Sequence, residues 1–395
     1  MSGAEVVVIG GGPAGLSAAI ELRRRGVRVT VLEREQTAGG APRHTAHVGF
    51  GARDLHRITT GPRYAAHLVH EAQKCGVDLR LGVTVTDLDG LTVRTATRTG
   101  PESITAGAVV LATGVRERPR AARLVPGDRP AGVFTTGMLQ QFVALHHQRV
   151  GTRAVVVGAE HVSFSAVMTL RHVGCEVVAL TTPLPRHQTY APLEWSTTRR
   201  RRIPVLTGVD VAEVIGRTRV ERVLLSDGRS VDCDTVVFTG DWIPEHELAR
   251  RAGLPMLPAA LAPVIDASMH TARRGVFAIG NLAHPAETAD VCALDGRHVA
   301  PTVVDWLSLG RWPDRVAPIT VAAPIAWASY DSRGITLRMA EPVDGRIRLM
   351  HSSEVQWISD DDTWLPNRSI TIRTDAMKNT PRPYADHRLQ LDVLR

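Results

Sequence analysis

Cysteine, lysine and aromatic residues are scarce in this chain of 395 residues, and each shortage excludes a class of protein. The four cysteines lie far apart and form no C-x-x-C pair, so they offer no metal motif and indicate buried thiols in a reducing compartment. No apolar run reaches the roughly 18 residues that a membrane-spanning helix requires. We therefore expect a soluble, cytoplasmic protein without a membrane span.

The basic composition does not predict a nucleic-acid partner. The formal charge is +7 and the pI is near 9.8, yet Lys74 and Lys378 are the only lysines. The two dense arginine runs, 23–25 and 199–202, fall at predicted helix ends, where cations stabilise the helix dipole. No aromatic residues interleave with these runs, as stacking on single-stranded nucleic acid would require. We expect no nucleic acid among the partners.

A dinucleotide-binding fingerprint opens the chain. The apolar run 6–9 predicts a buried strand, and a G-x-G-x-x-G motif follows at Gly10, Gly12 and Gly15. An amphipathic helix and a second strand come next, and Glu33 ends that strand. In such a unit the glycines allow a tight turn, backbone approach to a pyrophosphate and close helix packing, while the acid accepts from ribose hydroxyls. The first thirty-odd residues therefore predict a bound dinucleotide.

A second unit repeats this pattern with two departures. A buried strand at 154–157 leads into Gly158, but Glu160 and Ser163 replace the second and third glycines. A carboxylate at the second position obstructs and repels a pyrophosphate. Thr181 and Thr182 stand at the end of the next strand, predicted at 176–180, where neither an acid for a ribose nor an arginine for a 2′-phosphate is present. These departures favour a fold that has lost its nucleotide over NAD(P) binding.

Three motifs occur in a fixed order: the fingerprint at Gly10, the Thr113-Gly114 turn after a buried strand, and a Gly280-Asn281 segment after the strand at 276–279. In this order they resemble the FAD-dependent pyridine nucleotide-disulfide oxidoreductase superfamily over about residues 4 to 310. The resemblance implies an α/β fold with two Rossmann-like dinucleotide-binding domains, one inserted in the other.

Three domains are predicted on this basis. The FAD-binding domain is discontinuous and comprises residues 1–117 and 259–316, and the inserted domain spans 118–258. From 317 to 395 the sequence changes to short alternating apolar runs separated by Gly, Pro and Asp turns, which predict a small all-β domain. This domain could cap the active site or form an interface, and the sequence leaves both open.

The resemblance also implies FAD as the cofactor and assigns its contacts. Asn281 stands where relatives have an aspartate that holds the ribityl chain, and it can still hydrogen-bond a hydroxyl. The helix predicted at 288–309 points its N-terminus at the flavin in relatives. The predicted FAD-binding residues are Gly10, Gly12, Pro13, Ala14, Gly15, Glu33, Arg34, Gly40, Arg43, Val85, Thr113, Gly114, Gly280 and Asn281.

The redox cysteine pair of the disulfide reductases is missing after Gly40, so the flavin is expected to exchange electrons directly with a substrate or partner. The segments that relatives place near the flavin contain His44, His284 and Glu287, which are the candidate catalytic residues. Arg43 could instead clamp a substrate carboxylate. The alternative is that these side chains only hydrogen-bond the cofactor or the backbone. No metal site is predicted.

Within the superfamily, the chain is most similar to the α-type subunits of sarcosine oxidase, hydroxyproline dehydrogenase, opine oxidase and hydrogen cyanide synthase. The resemblance implies an FAD-dependent dehydrogenase that oxidises a small amine-like substrate by hydride transfer to the flavin. One alternative is an NAD(P)H-dependent flavin reductase. Another is an FAD-holding, non-catalytic subunit of a heteromeric dehydrogenase. A homo-oligomer or a hetero-subunit partner is compatible with all three.

Overall fold

The computed structural model describes residues 5–351, 354–373 and 389–394. Within these residues the chain forms two parallel sheets flanked by helices, followed by a strand-rich C-terminal region. The helices, in chain order, are α1 (Pro13–Arg24), α2 (Gly61–Lys74), α3 (Thr136–Ala144), α4 (His161–His172), α5 (Ala191–Thr197), α6 (Glu247–Arg251) and α7 (Ala289–Leu309).

The first parallel sheet is made of strands that are buried on both faces. Their continuous Val, Ile and Leu content is typical of parallel sheets that helices cover on either side. Helices α1 and α7 cross closely because Gly296 leaves room for the backbone of α1 at Ala14. The strand order across the sheet is Val276–Ala278, Ala108–Leu111, Val6–Ile9, Val29–Glu33 and Asp78–Leu81.

Two small antiparallel units accompany this sheet. The first is a three-stranded meander of Thr84–Asp89, Thr92–Thr97 and Gly100–Thr105. A short hairpin pairs Val48–Phe50 with Thr59–Thr60 and runs directly into α2. This helix begins at Gly61, and Pro62 fits its first turn because a proline there lacks only an N–H that the helix leaves unbonded.

The second parallel sheet is inserted between strands of the first. The chain leaves through Val115–Glu117 and returns through Trp242–Pro244, and these two segments pair antiparallel. The inserted sheet has the order Val133–Thr135, Thr235–Phe238, Arg153–Val157, Glu176–Thr182 and Val205–Thr207. A three-stranded antiparallel unit of Val211–Ile215, Arg222–Leu225 and Ser230–Asp232 lies beside it. The fold class predicted from the sequence is confirmed, while the exact domain limits stay predictions.

The C-terminal region consists of strands in the residues that the structure describes. Trp327 belongs to a cluster with Leu257 and Ala260, which packs the region against a short hairpin of Met256–Leu257 and Ala262–Pro263. None of the described helices is long and apolar enough to cross a membrane. The strands are Thr320–Val321, Ile325–Asp331, Gly334–Met339, Val343–His351, Glu354–Ile358, Asp362–Trp364, Ile370–Arg373 and Leu389–Leu394.

Candidate functional site

The three fingerprint glycines have three different surroundings. Gly10 has a φ of +110°, and a Cβ there would collide with the carbonyl oxygen of Ala112 on the neighbouring strand. A Cβ on Gly15 would collide with the carbonyl oxygen of Gly10. A Cβ on Gly12 would meet only the Cα of Gly40, at 3.9 Å. The outer glycines are therefore required by packing, whereas the middle one borders open space.

The N-terminus of α1 is free to receive an anion. Gly12 is its N-cap residue, no side chain caps the helix, and its first turn contains no acid. Gly114, at the end of the adjacent strand, has a φ of +80° and nothing within 4 Å of its absent Cβ. Uncapped N–H groups at a helix N-terminus bind phosphate, so this turn fits the pyrophosphate of FAD. Pro13 and Ala14 form the start of the same helix.

Glu33 lies beside this turn and is buried. One of its carboxylate oxygens accepts from the N–H of Gly11 at 2.8 Å, and the other accepts from the N–H of Glu35 at 2.9 Å. These two bonds fix the carboxylate at the edge of the glycine turn. Each oxygen keeps a lone pair that can accept from a ribose hydroxyl.

Three more of the predicted FAD residues meet at Glu245, in the segment that returns from the inserted domain. The hydroxyl of Thr113 donates to the carbonyl oxygen of Glu245 at 2.8 Å, and the N–H of Glu245 donates to the carbonyl of Gly114 at 2.9 Å. Arg34 is mostly exposed and lies 3.7 Å from the Glu245 carboxylate. The returning segment thus fixes the strand end that borders the cofactor turn.

Arg43 and Val85 have surroundings that the sequence did not indicate. The guanidinium of Arg43 donates to the Glu35 carboxylate at 2.6 Å and to the carbonyl of Thr37, so it braces its own loop. Val85 is half-buried in the meander, opposite Thr95. Their predicted contacts with FAD stay predictions.

The corresponding turn of the second unit is filled by Glu160. Its carboxylate accepts from the N–H of Ala159 at 3.0 Å and from the hydroxyl of Thr239 at 2.5 Å. It also forms a capping box with Ser163, accepting from the backbone N–H of that residue, while the Ser163 hydroxyl accepts from the N–H of Glu160. The Glu160 carboxylate therefore accepts from the N–H groups of Ala159 and Ser163. These are the donors at the start of α4 that would otherwise face a pyrophosphate.

Glu160 also covers the strand end that stays open in the first unit. A Cβ on Gly240 would lie 2.7 Å from its carboxylate oxygen. Arg123 holds this turn from the far side by donating to the carbonyls of Thr239 at 3.0 Å and Gly240 at 2.7 Å. The second crevice is therefore occupied and braced by side chains.

A further buried carboxylate, Glu117, was not predicted from the sequence. It ends the strand that leaves the first domain, and one of its oxygens accepts from the N–H of Gly137 at 2.8 Å. Burial raises the pKa of Glu117 to about 7, and the nearby carboxylate of Glu160 adds to the rise. Its position at the domain crossing follows only from the tertiary structure.

Asn281 and Gly280 form the third motif near α7. The side-chain amide of Asn281 donates to the carbonyl of Glu287 at 3.1 Å, and its oxygen accepts from the N–H of the same residue at 2.8 Å. An ionised aspartate could only accept, so the amide explains how this loop is closed. Gly280 has a φ of +65°, and a Cβ there would lie 2.8 Å from Cβ of Ala14. The loop thereby packs directly on the start of α1.

His44 is buried at the end of a one-turn helix, Ala41–His44, that packs beside α3 of the inserted domain. Burial, with Arg43 adding to it, lowers the pKa of His44 to about 4, so its ring is neutral at neutral pH. Its Nδ1 is buried without a hydrogen-bond partner among the described residues. Next to it, Thr45 donates to Gln140 of α3 at 3.0 Å, which ties the segment to the inserted domain.

His284 and Glu287 are held in ion pairs with the C-terminal region and the helix beside it. His284 is fully buried, with Nε2 2.5 Å from the Asp295 carboxylate, whose other oxygen accepts from the N–H of Ser332. Although burial alone would lower the pKa of His284, Asp295 raises it above its ordinary value. The Glu287 carboxylate lies 3.1 Å from Arg333 and also contacts the hydroxyl of Ser369. The catalytic roles of both residues stay predictions.

All four cysteines are free thiols. Cys175, Cys233 and Cys292 are buried, and burial raises the pKa of each of these thiols. Among the described residues, no group of three or more His, Cys, Asp or Glu side chains could hold a metal ion.

Known proteins resemble this chain along most of its length. A benzene 1,2-dioxygenase system ferredoxin–NAD(+) reductase component of Pseudomonas putida is 27% identical over 70% of this chain and 67% of that component. An opine oxidase subunit of Agrobacterium tumefaciens is 27% identical over 70% of this chain and 61% of its own length. The fold is similar to that of the thioredoxin reductase of T. acidophilum. The match covers 77% of this chain and 99% of the reductase chain, with a TM-score of 0.65 and 20% sequence identity.

These similarities bear on the expectations from the sequence. Opine oxidase is among the relatives that the sequence motifs indicated. The reductase component is named for a reaction with NAD(+), so the relatives do not support the expectation that NAD(P) is disfavoured. The family model for pyridine nucleotide-disulphide oxidoreductases matches residues 4–296. The chain therefore belongs to the pyridine nucleotide-disulphide oxidoreductase family and is an FAD-dependent oxidoreductase.

Proposed function

We propose that this protein oxidises a small amine-like substrate at a flavin bound to its first unit, and that it does not take hydride from NAD(P)H. The observation that carries the proposal is the contrast between the two glycine turns. The start of α1 is uncapped beside Gly12, whereas the start of α4 is closed by Glu160. Similarity to an opine oxidase subunit supports an amine-like substrate.

When bound, FAD supplies the hydride acceptor, so the protein has only to bind, orient and shield the substrate. His44 is suited to orienting it, because a neutral ring with a buried, unpartnered Nδ1 can accept a hydrogen bond from a substrate N–H group. His284 serves a structural role in the proposal, since its ring is fully buried and its Nε2 lies 2.5 Å from the Asp295 carboxylate. Glu287 fixes the C-terminal region through Arg333.

An anaerobic panel of reductants tests the proposal. The FAD-loaded protein is mixed with secondary amines, amino acids, NADH or NADPH, and the flavin absorbance near 450 nm is followed. We expect bleaching by an amine-type substrate and none by either nicotinamide within the same time. Rapid bleaching by NADPH or NADH would refute it.

A second candidate is an NAD(P)H-dependent flavin reductase, which the similarity to a ferredoxin–NAD(+) reductase component favours. It requires the Glu160 carboxylate to rotate away from Ala159 and Thr239 when the nucleotide binds. It predicts micromolar NADH or NADPH binding by the wild-type protein and bleaching without any amine.

A third candidate is an FAD-holding subunit without turnover of its own. The two relatives described above are parts of multi-component systems, which favours this candidate. It predicts bound FAD that no member of the panel reduces unless a partner chain is added.

A further inference from the structure

The hairpin of Val48–Phe50 and Thr59–Thr60 exposes two large apolar side chains. Val48 is 66% exposed and Ile58 is 72% exposed. Phe50 points the other way and packs between His47 and Tyr64, with ring centroids 5.6 and 6.0 Å away. Because Phe50 already fills the inner face of the hairpin, packing within the chain does not account for the two exposed residues.

The same surface is cationic. Arg57 and Arg63 are exposed, and neither forms an ion pair within the described part of the chain. The one acid between His44 and His70 in the sequence is Asp54. Asp54 is buried, accepts from the hydroxyl of Tyr64 at 2.8 Å and lies 3.6 Å from the guanidinium of Arg297. Two exposed arginines without an ion pair among the described residues thus lie close in sequence to the exposed Val48 and Ile58.

The hairpin is fixed to the helix that the family resemblance places at the flavin. Asp290, in the first turn of α7, accepts from the N–H groups of Gly51 at 3.2 Å and Arg53 at 3.0 Å. The guanidinium of Arg53 donates to the hydroxyl of Thr288, the N-cap residue of α7, at 3.1 Å. A protein docked on the hairpin would thus sit against the start of α7.

We infer that Val48, Ile58, Arg57 and Arg63 form a docking surface for an acidic electron-carrier protein. The inference rests on the proposed function, because it supposes a flavin that turns over and needs an acceptor. The chain has no C-x-x-C dithiol that could relay electrons. Electrons can therefore leave the reduced flavin by direct transfer to a docked protein. Exposed apolar side chains with arginines close by in the sequence favour an acidic protein, through complementary charge and a desolvated contact.

Binding to an acidic [2Fe–2S] ferredoxin tests the docking surface directly. The FAD-loaded protein is titrated with this ferredoxin at two salt concentrations, with binding measured by calorimetry. We expect the double variant Arg57→Glu/Arg63→Glu to weaken binding at least tenfold at low salt and to reduce its salt dependence. Ile58→Ser should weaken binding severalfold at both salt concentrations, because it removes an apolar contact.

Matched controls come from exposed residues elsewhere. Arg98→Glu reverses a charge in the meander, and Val355→Ser removes an apolar side chain that is 50% exposed in the C-terminal region. Neither should change the affinity by more than twofold. The inference is overturned if wild type does not bind the ferredoxin, or if the controls weaken binding as much as the hairpin variants.

The amine panel separates this inference from the proposed function. If no amine bleaches the flavin but the hairpin variants still lose ferredoxin binding, the docking surface stands and the proposed reaction fails. If an amine bleaches the flavin of wild type while the hairpin variants bind ferredoxin normally, the reaction stands and the docking surface fails.

Discussion

The two nucleotide-type units of this protein share a backbone but differ in what lies at the start of their helices. In the first, Gly12 and Gly114 border open space and no side chain caps α1. In the second, Glu160 caps α4 and its carboxylate covers Gly240. The first glycine of the turn is therefore common to both units, as Gly10 and Gly158, while the third is replaced by Ser163 and the start of the helix is uncapped only in the first unit.

The comparison teaches that a Rossmann-like unit can keep its fold after the nucleotide position has changed. Gly10 and Gly158 both adopt positive φ values, and a Cβ at either would collide with the neighbouring strand end. These glycines make the turn whether or not a ligand binds. The middle position carries no such constraint, so a side chain there costs the fold little.

The largest expected effect comes from closing the open turn with Gly12→Val. The φ of Gly12 is −83°, which valine can adopt, so the variant should fold while its side chain blocks the pyrophosphate. We expect the bound flavin, measured by the absorbance ratio at 450 and 280 nm, to fall below roughly a tenth of wild type. Far-UV circular dichroism checks the fold. Retention of FAD by the variant would show that the turn is not the binding site.

Opening the filled turn with Glu160→Gly is the converse change. It frees the N–H of Ala159 and the start of α4, and we expect the affinity for NADPH to rise about tenfold or more, roughly 1.4 kcal/mol or above. Fluorescence titration with NADPH measures this rise. FAD content should stay unchanged, which makes this variant the control for Gly12→Val. Micromolar binding of NADPH by wild type would contradict the inference that Glu160 closes the turn at the start of α4.

Removing the charge of Glu117 tests the electrostatics around the filled turn. Because the pKa of Glu117 is raised from 4.5 to about 7, the folded protein holds a proton that the unfolded chain has released between these pH values. The stability of wild type therefore falls as the pH rises through this window. We compare the free energy of unfolding of Glu117→Gln with that of wild type. Between pH 5 and pH 8 this difference should shift by about 2 kcal/mol in favour of the variant, because only wild type loses stability as the carboxyl ionises.

Urea unfolding at the two pH values measures this difference. The surface substitution Glu354→Gln, in the exposed part of the C-terminal region, is the control for a general effect of net charge. A difference between wild type and Glu117→Gln that does not change with pH would mean that the carboxyl is not buried as described.

The smallest expected effects come from the glycines that end the two helices. Gly26 after α1 and Gly174 after α4 have φ values of +83° and +77°, with nothing within 4 Å of an added Cβ. Gly26→Ala and Gly174→Ala should therefore each cost about 1 kcal/mol, from the strained conformation alone. Equal losses of stability for the two variants, measured by thermal or urea unfolding, would show that the two units differ only at the residues that would contact a nucleotide. Unequal losses would show that the difference extends into packing.

Local sequence was sufficient to predict the strands, the glycine turns and the order of the units, because these depend on short-range patterns. The identity of residue 160 also predicted an obstructed turn. It did not predict that the carboxylate would reach Thr239, which lies 79 positions later in the chain. The partners of His284 and Glu287 were likewise not predictable, since Asp295 and Arg333 reach them through packing between separate parts of the chain.

The sequence by itself determined the α/β architecture, the family and the asymmetry between the two nucleotide turns, because hydrophobic periodicity and glycine positions act over a few residues. Only the tertiary structure decided the surroundings of the candidate side chains. It buried His284 against Asp295, left Nδ1 of His44 without a partner among the described residues, and exposed Ile58 in the hairpin that is bonded to the start of α7. The physical reason is that burial and ion pairing depend on neighbours that are distant along the chain.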